Sequence, residues 1–470
     1  MRRRKSSQWC APAVVCGALL TSAAENSTTN QPASGPLKQI PLTPKGAPLP
    51  DEVRQKISAS KAGQEGVQWF PATPPVLPAY LGNVDEFGNT AAQAGAVIPH
   101  DPLSRGVEAG KAWLSEAGLR YTFWQSLSMV SMTDVASGEN TLQYYTATLQ
   151  GKWAVFEAPK GGPAGWVSTE VNGQIGLSPA SRAQSPQANL GTLVNPLATV
   201  FGPNNFWISE LAWQQSLAAG KVVVLAGLVD QSNYLDANNY ANNSQGQFLN
   251  SAFVNSMVLP LPFNNLGVNL QYQPGDHWYV MLGTGANNQV AGQSPFQQLG
   301  FDNWSYLFEF GLTPSDVLGL GAGNYRLQPY LATVGGQTQA GVGLNIGQQL
   351  GKNSPFAWFG RFGVGGSQVA LEGARAQIAS GFALQAPLKY AGLFPKLSND
   401  YFGAGFVWSQ PSAVLQPTAH ANEYGFETTY VLQLTPTASV QPDFQCIWNP
   451  ASNLAADHNL IFQLQLNLTW

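Results

Sequence analysis

Charge is the scarcest property of this chain. Only 10 % of its 470 residues are Asp, Glu, Lys or Arg, against roughly 25 % in an ordinary soluble domain. The net charge of −4 leaves no basic patch to neutralise phosphates and argues against a nucleic-acid partner. Cysteine is nearly absent. Cys10 and Cys16 fall in a leader-like stretch, and Cys446 stands alone, which excludes a disulfide framework and zinc spacing. No apolar run reaches the 18 or so residues that a membrane helix needs. Catalytic signatures are missing too. His100, His277, His420 and His458 lie far apart, no nucleophile elbow or His-Glu-x-x-His helix occurs, and Gly341-Val342-Gly343 and Gly363 to Gly366 do not match a phosphate loop. The expectation is no enzyme, no catalytic residue, no metal and no cofactor.

Apolar residues are present in ordinary amount, 44 %, and Gly, Asn and Gln supply the polarity that charge does not. Their order is informative. From Leu460 to Trp470 the residues Leu460, Phe462, Leu464, Leu466, Leu468 and Trp470 share one parity, and Gln463, Gln465, Asn467 and Thr469 share the other. A period of two is a strand with one apolar and one wet face, here about long enough to cross a bilayer when tilted. The pattern repeats. Trp304, Tyr306, Phe308 and Phe310 oppose Asn303, Ser305 and Glu309, and Leu266, Val268, Leu270 and Tyr272 oppose Gly267, Asn269 and Gln271.

Candidate strands fall at 119–131, 141–157, 166–177, 205–217, 221–229, 266–273, 277–284, 302–310, 323–332, 338–348, 355–365, 375–384, 400–409, 424–435, 437–448 and 459–470. About 16 is an even number, as single-chain bacterial barrels have. Labelled alternately, tight turns such as Ala218-Ala219-Gly220, Pro274-Gly275-Asp276 and Pro436 fall at one end. The long connections 178–204, 230–265, 285–301, 410–423 and 449–458 fall at the other. Only 385–399, long for a turn, and 333–337, short for a loop, run against this. Short turns inside and long loops outside, with Trp304, Trp448 and Trp470 near strand ends, is the outer-membrane pattern.

The start of the chain is different. Arg2 to Lys5, an apolar stretch from Ala11 to Leu20 and the small residues Ser22 to Ala24 read as a signal peptide over 1–24. Pro recurs through 25–105, which reads as a periplasmic linker able to touch peptidoglycan. Gly106 to Gly118 reads as a short amphipathic helix at the barrel entrance. The expected fold is all-β, a 16-stranded antiparallel transmembrane β-barrel over 106–470 with an N-terminal periplasmic extension, in the cell outer membrane of a Gram-negative type.

Several segments then carry a resemblance. Ala212-Trp213-Gln214-Gln215-Ser216, Lys221 to Asp230, Tyr234-Leu235-Asp236, Gln247 to Phe253, Trp358 to Gly363, Glu427-Thr428-Thr429-Tyr430, Leu434-Thr435-Pro436, Val440 to Gln445 and Asn449-Pro450 occur in order. Together they are similar to the carbohydrate-selective porins, the OprB family. The resemblance implies passive diffusion of mono- and small oligosaccharides such as glucose, and a loop from Asp230 to Leu259 that narrows the channel. The family's Gly-Asp-Trp-Gly-Gly stretch before the first strand is replaced here by Gly106 to Trp113.

Sugar passage calls for planar polar groups and aromatic faces. On lumen parity the candidates are Glu309, Arg326, Arg361, Glu427 and Asp443, because a charge on the lipid face costs about 2–4 kcal/mol near the midplane. Phe359 shares the parity of Arg361, which makes that strand ambiguous. Glu309 and Arg326 are placed to form a salt bridge with no solute role. In the long loop, Asp230, Tyr234, Asp236 and Asn250 are candidates for a constriction, or for turns of the loop itself. The expected partners are small carbohydrates and outer-membrane lipid, with the chain a monomer or homotrimer. Two other readings stand beside this one: a general or ion-conducting porin of the same fold, and a secreted β-rich carbohydrate-binding or hydrolytic protein.

Overall fold

In the computed structural model, the residues described are 95–98, 104–157, 164–200, 205–275, 277–287, 296, 302–352, 354–366, 373–412 and 419–470. The segment expected to be a signal peptide and nearly all of the expected Pro-rich linker lie outside them. Each of the sixteen segments expected from alternation forms a strand, with ends within two residues of expectation. They are β1 (Leu119–Met132), β2 (Thr141–Glu157), β3 (Ala164–Gly176), β4 (Asn205–Leu217), β5 (Val222–Val229), β6 (Asn265–Tyr272), β7 (Trp278–Ala286) and β8 (Trp304–Leu312). Then follow β9 (Gly323–Val334), β10 (Gln337–Gln349), β11 (Phe356–Gly365), β12 (Ala374–Gln385), β13 (Tyr401–Pro411), β14 (Glu423–Gln433), β15 (Ala438–Trp448) and β16 (His458–Thr469). Every strand pairs antiparallel with its chain neighbours. β1 pairs with β16 from Trp124 opposite Thr469 to Met132 opposite Ile461, which closes the barrel.

Burial runs opposite to that of a soluble protein. On β16, Leu464 is 45 % exposed and Gln465 is fully buried. The same inversion holds on β8, where Tyr306, Phe308 and Phe310 are exposed while Ser305 and Glu309 are buried. A sheet with its apolar face outside has its low-energy environment in hydrocarbon, and closure leaves no unpaired edge there. Rings gather at the rim of short turns: Phe156 with Trp213 at 6.0 Å, and Tyr272, Trp278 and Phe310 in a row at 6.2 and 6.4 Å.

Among the described residues, five α-helices accompany the strands: α1 (Ser104–Glu116), α2 (Pro179–Ala183), α3 (Pro186–Leu190), α4 (Ser251–Val254) and α5 (Pro387–Tyr390). α2 and α3 start on Ser178 and Ser185, whose hydroxyls accept from Ser181 N and Ala188 N, with Pro in the first turn. Before β1, α1 sets Lys111 Nζ 5.3 Å from the ring of Tyr121. Tyr121 has the outward parity of Leu119 and Phe123, so the helix touches the rim on the wall's outer side rather than plugging the entrance. Within the expected linker, residues 95–98 are fastened to the same rim, Val97 N and Ile98 N donating to Gln433 O and Leu434 O at 3.0 and 2.8 Å.

Candidate functional site

Two of the long connections turn into the bore. Residues 230–264, between β5 and β6, cross it and touch the far wall. Asp230 caps the first turn by accepting from Ser232 N. Asp236, in a left-handed conformation (φ 62°), donates its N–H to Glu309 of β8 at 2.9 Å. The Asp236 carboxylate receives Arg361 Nε of β11 at 3.0 Å and Ser256 N at 2.6 Å. Further along, Gln465 and Asn467 of β16 donate to Ser244 O and Gln245 O. Glu427 of β14 accepts from Leu249 N and Asn250 N at 2.6 and 3.1 Å. The other connection, seen from 177 to 200, is held in the same way. Glu423 accepts from Leu193 N and Val194 N, while Gln445 and Gln463 both donate to Pro196 O at 2.8 Å.

The two connections meet, Ala198 N on Leu249 O and Ser251 N on Asn195 O. Their apolar residues form a core inside the barrel: Leu193, Val194, Leu197, Phe248, Leu249, Phe253 and Leu259, packed on Phe359 and Tyr401 of the wall. Phe248 lies 4.9 Å from Phe253 and 5.2 Å from Phe359. Phe359 can therefore share the inward parity of Arg361, because the loop offers it an apolar partner. The wall gives way with glycine. A Cβ on Gly405 would stand 2.7 Å from the Phe253 ring and one on Gly403 2.6 Å from Phe248.

This filling decides what the candidate residues touch. Glu309, Arg326, Arg361, Glu427 and Asp443 all face inward, and all are buried. Arg326 Nε and Glu309 Oε1 form the salt bridge at 3.2 Å, and Tyr279 OH is shared between them. Asp443 accepts from Gln445 and Gln463, and Asn250 donates to Gln445 while capping α4. These residues with Asp236 are bonded to wall and loop groups rather than presented to an open bore. Asp230 lies elsewhere, on the lining of a cavity inside the barrel, and Tyr234 is turned onto Glu210.

This cavity, of about 340 Å³, lies between β2, β3 and β4 and the two inward connections. Thr146 and Thr148 line it from β2, Glu170 and Asn172 from β3, Trp207 from β4, and Asp230, Asn233 and Phe263 from the crossing loop. The volume lies in the range of small-molecule sites. Glu170 is the hub: it accepts from Asn172 Nδ2 at 2.8 Å, Ser209 Oγ at 2.7 Å and Asn233 Nδ2 at 2.8 Å. The β3–β4 register shifts between Glu170 and Val171, opposite Glu210 and Ile208. The extra residue, Ser209, turns inward together with Glu210, as bulges do beside sites. Glu210 accepts from Tyr234 OH at 2.6 Å and from Ser168. Burial first, and the Glu170 carboxylate next, push the Asp230 carboxyl up to about 8. An aromatic face beside carboxylate, amide and hydroxyl groups is a set that holds polyols through C–H faces and hydroxyls. Among the described residues no group of three or more His, Cys, Asp or Glu is placed to hold a metal.

Glu170, Asn172, Trp207, Glu210, Asn233 and Phe263 were not singled out from the sequence. The signal was there for β3, where Ser168, Glu170, Asn172 and Gln174 share one parity. It was hidden in β4, where the bulge breaks the alternation.

Comparison with known proteins bears on the family and on the barrel fold. The family model described as "Carbohydrate-selective porin, OprB family" matches residues 171–350 and 336–470. A solved structure of OprB from Pseudomonas putida, the high-pH form, superposes with a TM-score of 0.62 at 14 % identity, covering 77 % of this chain and 97 % of that one. The outer-membrane channel DcaP of Acinetobacter baumannii covers 75 % of this chain at 7 % identity and a TM-score of 0.48. An uncharacterised protein of Aquifex aeolicus is 32 % identical over 92 residues, which is 20 % of this chain and 30 % of that protein's length. With the family model spanning most of the barrel, the chain belongs to the carbohydrate-selective porin family, OprB.

Proposed function

We propose that this chain is a channel for passive diffusion of small carbohydrates, of glucose type and short oligomers, and that the solute passes beside β2–β4. The family and the closed barrel go with an outer-membrane channel rather than an enzyme. The observation that carries the finer reading is the cavity beside Trp207 and Phe263, with Glu170, Asp230, Asn172 and Asn233 on the same walls. A channel needs binding strong enough to admit a solute and weak enough to release it. One or two aromatic faces and a few acceptors in a water-filled passage suit that balance. Conductance across a planar bilayer tests it. Millimolar glucose or a short maltooligosaccharide should reduce ion current reversibly, and liposomes should swell faster in sugars than in other neutral solutes of equal size. Current insensitive to every sugar would leave a general porin.

A further inference from the structure

At the short-turn rim, residues 386–400 form the longest connection, and it is firmly held. Asp400 Oδ2 accepts from Leu388 N at 3.2 Å and from Tyr430 OH at 2.8 Å, and Ala386 N donates to Asp400 O at 2.7 Å. Leu393 N and Phe394 N both donate to Leu388 O, and Ser398 N donates to Gly95 O. Yet this fastened segment presents Tyr390 at 59 %, Leu393 at 66 % and Phe394 at 54 % exposure. Three large apolar groups held outward on one short segment mark an interaction surface.

Its position says what covers it. The Tyr390 ring meets the Phe356 ring edge to face, at 5.5 Å and 89°. Phe356 is exposed while its neighbour Ala357 is fully buried, so it belongs to the outward face of β11. The segment thus lies on the outer side of the wall and continues the ring belt of Phe156, Trp213, Tyr272 and Trp278. Residues 387–399 carry Lys389 and Lys396 and no carboxylate. Apolar groups level with the belt, beside the exposed Lys396 and with the adjoining carboxylate, Asp400, buried beneath Leu388 N and Tyr430 OH, complement an anionic headgroup layer.

We propose that residues 387–396 are a lipid-binding segment. Tyr390, Leu393 and Phe394 enter the boundary between headgroups and acyl chains of the periplasmic leaflet, and Lys396 meets the phosphate of an anionic phospholipid. The proposal rests on the membrane-spanning reading of the barrel and is independent of the sugar reading.

The test uses the full chain with Cys10, Cys16 and Cys446 replaced by Ser, reconstituted into vesicles of phosphatidylethanolamine and phosphatidylglycerol. A fluorophore on Phe394→Cys, or on Leu393→Cys if that variant does not fold, is quenched by nitroxides near the headgroup and shielded from aqueous iodide. Phe462→Cys, on mid-β16, reports on the barrel, and Leu454→Cys, at the opposite rim, reports on water. If Phe462→Cys escapes lipid quenching, the membrane reading fails and the proposal with it. Lipid quenching at 462 with iodide access at 394 equal to that at 454 overturns the proposal alone, as does crosslinking of two copies through position 394. In detergent, Lys396→Gln should bind phosphatidylglycerol about fivefold more weakly; unchanged affinity overturns the headgroup contact.

Discussion

Arg361 of the wall and Asp236 of the crossing loop meet at 3.0 Å, Nε to Oδ2, with both side chains closed to solvent. The same guanidinium donates to Ala241 O, Phe253 O and Asp236 O, so one side chain holds three turns of the loop. Truncating it strands a buried carboxylate, at about 3–5 kcal/mol. Arg361→Ala is therefore expected to release the loop and give larger, noisier single-channel currents. Arg361→Lys keeps the charge without the fork and should fall between. A channel of unaltered conductance would mean that the loop does not narrow the pore.

Deleting Asn238 to Gly246 should raise conductance by a different route. It removes the acceptors Ser244 O and Gln245 O, returning Gln465 and Asn467 of the far wall to water. The barrel itself keeps its ladders, so the variant should still run as a folded, heat-modifiable band on a gel. Conductance in planar bilayers checks the first expectation and electrophoresis the second.

Trp207 is the inward ring of β4, set between Phe206 and Ile208, which face lipid. Trp207→Ala should weaken sugar block of the current by about fivefold, as loss of roughly 1 kcal/mol of stacking implies, while ions still pass. A block constant equal to that of the unaltered chain would remove this ring from the sugar path.

Asp230 makes stability depend on pH. Burial, then Glu170, push its carboxyl up to about 8 from an ordinary 3.8. Between those values the folded chain binds more protons at this site than the unfolded chain does. This contribution to stability is therefore largest at low pH and declines as pH rises towards about 8. Asp230→Asn should flatten the decline. Thermal unfolding in detergent at about pH 5 and about pH 9 gives the comparison, and an equally steep decline in the variant would exclude Asp230 as its source.

The wall of this protein was legible because each strand answers to two solvents at once. On β8, Trp304 to Phe310 could face only lipid and Ser305 to Glu309 only the inside, so the period of two fixed both strand and face. What the inner face meets was not legible. Glu427 and Glu309 have the parity of pore-lining groups, but parity does not say whether water or a loop N–H stands opposite. A cue existed in the long connections, where Leu190, Leu193, Val194, Leu197, Phe248 and Phe253 are too apolar for segments exposed to water. Trp207 and Glu210 were lost for a local reason: the inserted Ser209 puts two consecutive side chains inward, and alternation cannot register that.

Pairing of β1 with β16 has a consequence for biogenesis. The first hairpins can form early, but the seam between Trp124 and Thr469 waits until the sixteenth strand is made. Until it zips, β1 and β16 each present a row of unsatisfied amides that hydrocarbon will not tolerate. Closure of that seam should therefore be all-or-nothing, because a half-zipped ring leaves both edges bare in hydrocarbon.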